Sequence, residues 1–210
     1  MVFKKIASPC LSALAAFLAA VVMVTANISA YAVQCEDVRR EVLRLHVVAN
    51  SDSETDQNVK LLVRDALLAA GGTLLSQAQS AEQAAALARH LTDTLQQRAD
   101  EVLAENGFDY TSRVTVQKEY FETRTYEDLT LPAGVYMAVR VVLGDGDGQN
   151  WWCVMFPPLC LPAACTQEER DVFTKENKSI VAATDGYEIR FRIVEVIEQL
   201  REKFRKEADG

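Results

Sequence analysis

An α+β domain behind an export leader is the architecture this sequence predicts, with a mainly antiparallel sheet packed by two or three helices. Three observations lead there. The first 32 residues have the composition of a leader. Two stretches, Ser53–Gly72 and Ser80–Gly107, carry apolar residues at helical spacing. Between Arg113 and Phe156 the apolar residues alternate instead, as in half-buried strands.

The leader begins with Lys4 and Lys5 and continues through Leu11–Val24, which is apolar or small apart from Ser12. Ala30-Tyr31-Ala32 then offers an A-x-A cleavage site, so the expected cut falls between Ala32 and Val33. The competing reading is an uncleaved anchor, because the apolar run is just long enough to cross a bilayer. Gln34 before Cys35 is a poor lipobox residue, which argues against a lipoprotein. Either way the body, residues 33–210, is expected outside the cytoplasm as a single domain. At 49% apolar residues the chain can build a substantial core.

Charge narrows the partners. The full chain carries −8, and loss of the two leader lysines leaves 20 basic against 30 acidic residues. Such a body is not expected to bind nucleic acid or anionic membrane surfaces. Four cysteines remain beyond the leader: Cys35, Cys153, Cys160 and Cys165. In an oxidising compartment an even number permits disulfides. A Cys153–Cys160 bridge across Pro157-Pro158, a Cys160–Cys165 bridge, a bridge using Cys35, and free buried thiols all stay open.

In chain order, a helical turn at Cys35–Glu41 precedes a strand in which Leu43, Leu45, Val47 and Ala49 alternate with Arg44, His46 and Asn50, giving one buried face. Asn50-Ser51-Asp52-Ser53 ends it. Ser53 is an N-cap with Asp56 at the third helical position, and the helix stops at Gly71-Gly72. Ser80 and Gln83 make a capping box for one helix of about 26 residues, roughly 39 Å long, closed by Asn106-Gly107. Strands follow around Val114–Tyr120 and Val135–Leu143, separated by a turn at Leu131–Gly134. Gly144–Gly148 reads as a hairpin turn. It resembles a calcium loop only superficially, since the third ligand position is Gln149 and the twelfth is Phe156. Asn150–Phe156 is a strand with Trp152, Val154 and Phe156 on one face and Trp151, Cys153 and Met155 on the other. With both faces apolar, it is either central and covered twice or open to a partner. Pro157-Pro158 then bends the chain into a loop bearing Leu159, Cys160, Leu161 and Pro162. A short strand at Tyr187–Ile193 leads into a last helix.

Catalytic signals are weak. A Cys153–His46 hydrolase has the residue types, but Cys153 lies mid-strand in an apolar run, where nothing lowers the thiol pKa. The histidines and cysteines show no metal-ligand spacing, and no glycine-rich phosphate loop precedes a helix. No cofactor, metal or small-molecule substrate is expected.

Two longer motifs do carry a resemblance. Leu45-His46-Val47-Val48-Ala49-Asn50-Ser51-Asp52-Ser53, with Asp56-Gln57, Lys60 and Val63-Arg64-Asp65, resembles the opening motif of the stage II sporulation protein R family. Gly148 and Asn150 through Cys160 resemble its second motif, and the leader and Tyr187–Leu200 are similar as well. The main departure is the Gly144–Gly148 turn. The resemblance implies a signal, not an enzyme. Such a protein is secreted from the forespore into the space facing the mother cell. There it activates a membrane-embedded aspartic protease that matures the pro-form of sigma-E. It supplies no map of that contact. As inferred contact residues we take His46, Asn50, Asp52, Asn150, Trp151, Trp152, Pro157, Pro158 and Leu159.

Overall fold

The computed structural model describes residues 3–75, 77–126, 129–157 and 189–208. It has the predicted α+β class, with helices α1 (Phe3–Arg40), α2 (Glu54–Leu74), α3 (Ala81–His90), α4 (Thr92–Glu105) and α5 (Ile189–Ala208). The strands are β1 (Leu43–Val48), β2 (Ser112–Phe121), β3 (Arg124–Tyr126), β4 (Leu129–Leu131), β5 (Gly134–Leu143) and β6 (Asn150–Phe156). Four strands form a sheet in the order β2-β5-β1-β6, and β3 and β4 form a separate hairpin.

The four-stranded sheet is mainly antiparallel, as expected, with one parallel pair. β2–β5 and β1–β6 are antiparallel, whereas β1 runs parallel to β5. A parallel neighbour needs a crossover, and the chain from β1 to β5 makes it through α2, α3 and α4 followed by β2 and the β3–β4 hairpin. Because β1 sits between β5 and β6, Gly144–Gly148 is not a tight hairpin turn. It straddles the end of β1, where Asp147 N–H donates to Asn50 O and Gly148 N–H to Ala49 O, both at 3.0 Å.

Central placement also explains why β1 is buried at all six positions rather than on one face. Leu43, Leu45 and Val47 join the large core with Val59, Val63 and Leu67 of α2, Leu95 and Val102 of α4, and Cys153 and Met155 of β6. The opposite face carries Arg44 and His46. Part of it is covered by Val38 near the end of α1, by Val42 just after it and by Leu131 of the hairpin, which pack with Phe121, Tyr136 and Val154.

β6 is an edge strand of this sheet, with Trp151 exposed and Cys153, Val154 and Met155 buried. The pairing register shifts between Leu43 and Arg44, so Phe156 lies opposite Leu43 and Val154 opposite Arg44. A one-residue slip sends a side chain to the other face. Phe156 therefore packs against the helix-side core, away from Trp152 and Val154.

The helices depart from expectation in four places. α2 continues through Gly71-Gly72 to Leu74. Gly71 lets the Met155 side chain pack close against α2, since a Cβ there would meet the Met155 side chain and shift it. The long second helix is broken at Leu91 into α3 and α4. Thr92 marks the break, its hydroxyl donating to Ala88 O at 3.1 Å and Arg89 O at 2.9 Å. These bonds serve carbonyls at the end of α3, and the break lets both short helices bury a face on the sheet. The alternation at Ile189–Ile193 is helical, not extended: it forms the first turns of α5, where Val194 is buried against α1. Finally, the turn expected at Cys35–Glu41 is the end of one long helix, α1. Ser53 and Ser80 cap α2 and α3 as predicted, accepting from Asp56 N–H and Gln83 N–H.

Along α1, Leu11–Val24 is exposed and apolar, and it opens a helical stretch, Leu11–Arg40, that is long and apolar enough to cross a membrane by length and composition. The same helix then enters the domain. Tyr31 and Cys35 are buried with Val194, and Arg39 donates to Ala133 O at 2.8 Å.

Candidate functional site

The first motif builds a clamp between the β1–α2 loop and the β5–β6 turn. Asp56, buried at the start of α2, is its centre: Asn50 donates an amide hydrogen to Asp56 Oδ2 at 3.0 Å, Ser51 donates its hydroxyl to the same oxygen, and Tyr110 donates to Oδ1. Burial alone would raise the Asp56 pKa. The hydrogen bonds from Ser51, Tyr110, Asn50 and Ser53 outweigh it and hold the carboxyl below its usual range. Tyr110, partly removed from water beside this carboxylate, is pushed far up and stays a neutral donor.

From this centre the loop reaches the turn. Asn50 Oδ1 accepts Asp145 N–H at 3.0 Å, and Asp52 Oδ1 accepts Gln149 N–H at 2.8 Å. Gln57 donates to Ser51 O at 2.8 Å, and Lys60 donates to Gln149 O at 3.0 Å. Burial lowers the Lys60 pKa, with Asp52 opposing and Arg64 adding to the shift. Asp52 thus tethers the turn, while Ser53 caps the helix. The glycines fit the same contact. Gly144 and Gly146 have φ of +55° and +72°, and a Cβ on Gly148 would strike the Ser51 carbonyl. Gly148→Ala should therefore cost about 2 kcal/mol, as overpacked sites do, measurable as a lowered urea midpoint.

On the face of the sheet away from α2–α4, Arg44 is fully buried in an aromatic cage. Its guanidinium lies 4.4 Å from the Phe121 ring centre and 5.0 Å from that of Tyr136. Nε donates to Cys153 O at 3.0 Å and Nη2 to Tyr126 OH at 2.6 Å, while Nη1 has no hydrogen-bond partner among the described residues. Burial lowers the Arg44 pKa, opposed by Tyr126 and Tyr136. One rung along, His46 Nδ1 meets Glu119 at 2.9 Å and Nε2 meets Asn150 Oδ1 at 2.7 Å. Its ring stacks on Trp152 at 5.7 Å. Both tryptophans also carry an arginine: Arg124 lies 4.4 Å from Trp152 and Arg64 lies 4.5 Å from Trp151.

These positions separate the predicted residues. His46, Asn150 and Trp152 come together on the face away from α2–α4. Trp151 lies on the other face of β6, beside Arg64 of α2. Asn50 and Asp52 belong to the clamp, and Pro157 is buried just after β6. Pro158, Leu159 and Cys160 lie outside the described residues. The Cys153–His46 dyad is not assembled, because Cys153 joins the helix-side core and His46 faces the opposite side. Cys153 is moreover disulfide-bonded, with a partner outside the described residues, while Cys35 is a free buried thiol. Alkylation in denaturant without reductant should label Cys35 and spare Cys153; labelled Cys153 would contradict the bridge.

Comparison with known proteins decides the family. The family model "Stage II sporulation protein R (spore_II_R)" matches residues 39–166. The chain belongs to the stage II sporulation protein R family. A relative, stage II sporulation protein R of Bacillus subtilis (strain 168), is 32% identical over 182 residues, covering 76% of this chain and 81% of the relative. No solved structure matches.

Membership in the stage II sporulation protein R family gives the chain a role in sporulation. Its matched span includes the clamp, the Arg44 cage and β6, and ends before α5. Arg44, Asp56, Tyr110 and Glu119 were missed as site residues by sequence reading. Asp56 was visible as a helix-start residue and Arg44 as a charge inside an apolar strand, but their partners come from distant segments.

Proposed function

We propose that this chain is an exported sporulation signal that activates a membrane-embedded aspartic protease, which removes the pro-sequence of the mother-cell sigma factor sigma-E. It acts in the space between forespore and mother-cell membranes. The observation that carries this reading is family membership across both motifs. Two features support it. The first motif is occupied in holding two loops together, and the thiol considered for catalysis lies in a disulfide on the far side of the sheet from the imidazole. The contact residues we favour are those left exposed or half-exposed around β6: Asn150, Trp151 and Trp152.

Two experiments test this. Expression in a B. subtilis strain lacking its own stage II sporulation protein R should restore heat-resistant spores. A stably exported chain that restores none would count against the proposal. N-terminal sequencing of that exported protein reports the leader's fate: a start at Val33 indicates removal, with loss of the Tyr31 contact to Cys35 and Val194, whereas an intact Met1 in the membrane fraction indicates an anchor.

A further inference from the structure

α5 docks one face on α1 and presents the opposite face to solvent. Val194 is buried with Tyr31 and Cys35, and Glu198 lies 3.6 Å from Arg39. Val196, Leu200 and Phe204 recur every fourth residue and are 51%, 50% and 66% exposed. At 100° per residue these three, with half-exposed Ile193 and Ile197, form one stripe roughly opposite the buried face. Five apolar side chains in register on a water-facing helix are an interaction surface, not scattered exposure.

The charge beside the stripe indicates what it meets. Arg192 and Lys203 border one side and Arg201 the other. Glu195 and Glu198 turn toward the packed side, with side chains 9% and 11% exposed. Arg192 and Arg201 reach those glutamates, yet remain 66% and 70% exposed. Beside Val196–Phe204 both flanks thus carry basic side chains, two of them paired with glutamates, with exposed Glu207 beyond the end of the stripe, in a chain whose net charge is −8.

Three occupants can be weighed. A second copy would set basic flank against basic flank whether the helices paired parallel or antiparallel, which is disfavoured. A bilayer fits poorly for a geometric reason. Tyr31 and Cys35 meet Val194 and, one turn on, Arg39 meets Glu198, so α1 and α5 run in the same direction. The stripe therefore leads away from the apolar segment Leu11–Val24 instead of lying across its end. A protein partner with an apolar groove or helix face edged by Asp and Glu matches both shape and charge.

We propose that the outer face of α5 is a docking surface for an acidic, apolar-faced segment of a protein partner. Because the partner is that of the proposed function, this inference rests on that reading and locates part of its contact on a helix beyond the matched family span. A photo-crosslinking amino acid placed at Leu200 or Phe204 of the full chain, with Leu62 on α2 as an exposed control, is read in a host co-producing the protease and its pro-sigma substrate. The expected adduct joins positions 200 and 204, but not 62, to a segment of the protease containing Asp or Glu. Lys203→Glu, and separately Leu200→Ser with Phe204→Ser, should each cut pro-sequence removal about tenfold with an unchanged melting curve, as for a central contact. An adduct with a second copy or with lipid, no adduct at either position, or processing within about twofold of wild type in both variants would overturn the surface. Absence of processing with the unaltered chain would count against the proposed function instead, and the adduct alone would then judge α5.

Discussion

Asp56→Ala is expected to destabilise the folded chain by about 3 kcal/mol, the largest effect of any single polar substitution in the clamp. Three side-chain donors, from Asn50, Ser51 and Tyr110, lose their acceptor at once. The start of α2 also loses a favourable negative charge. Because Asn50 holds the Asp145 amide as well, the β5–β6 turn should loosen with it. Asp52→Ala removes only one bond, to Gln149 N–H, and should cost about 1 kcal/mol. Urea unfolding of both variants measures the contrast; equal effects would mean that Asp56 is not the centre.

The same carboxylate makes stability depend on acid in a defined direction. Its folded-state pKa is depressed, so its contribution is fully present above the unfolded-state value of about 4. It is lost as pH falls through the folded-state value. The stability gap between wild type and Asp56→Asn should therefore be widest near neutrality and narrow below about pH 4. A gap that grows on acidification would contradict the assignment.

Arg44→Ala is expected to cost about 3–4 kcal/mol, whereas Arg44→Met should cost about 1 kcal/mol or less. Alanine opens a void between Phe121, Tyr126 and Tyr136 and leaves the Cys153 carbonyl without its side-chain donor. Methionine fills much of that space and removes a guanidinium that burial disfavours. It still forfeits the bond to Cys153 O, which sets the residual cost. Thermal unfolding compares the two, and similar losses for both would show that charge and hydrogen bonding outweigh packing at this site.

Which parts of this fold could be read from the chain depends on how local their causes are. Ser53 and Ser80 cap helices by bonds three residues away, so both starts were legible. Period-two alternation likewise located β2, β5 and β6. The position of β1 between β5 and β6 was not legible. It arises from pairing over about a hundred residues, and only that pairing buries Arg44 and His46. The break at Leu91 escaped because the apolar stripe continues through it, and the alternation at Ile189–Ile193 fits either period over so few residues. For the site, the motifs marked the right segments but not their division of labour. Asn50 and Asp52 serve the turn, while His46 shares the sheet face away from the helices with Glu119 and Trp152, an arrangement set by cross-strand register.

The most direct test of the account is co-production of the full chain with the membrane-embedded aspartic protease and pro-sigma-E in a non-sporulating bacterium, followed by mass analysis of the sigma factor's N-terminus. Removal of the pro-sequence is expected only when chain and protease are both present. On the proposed function His46 orders the sheet face and takes no part in catalysis, so removal should be retained in a His46→Ala protein that folds and still binds the protease. Equal processing with and without the chain, or loss of processing in a folded His46→Ala protein that still binds the protease, would contradict it.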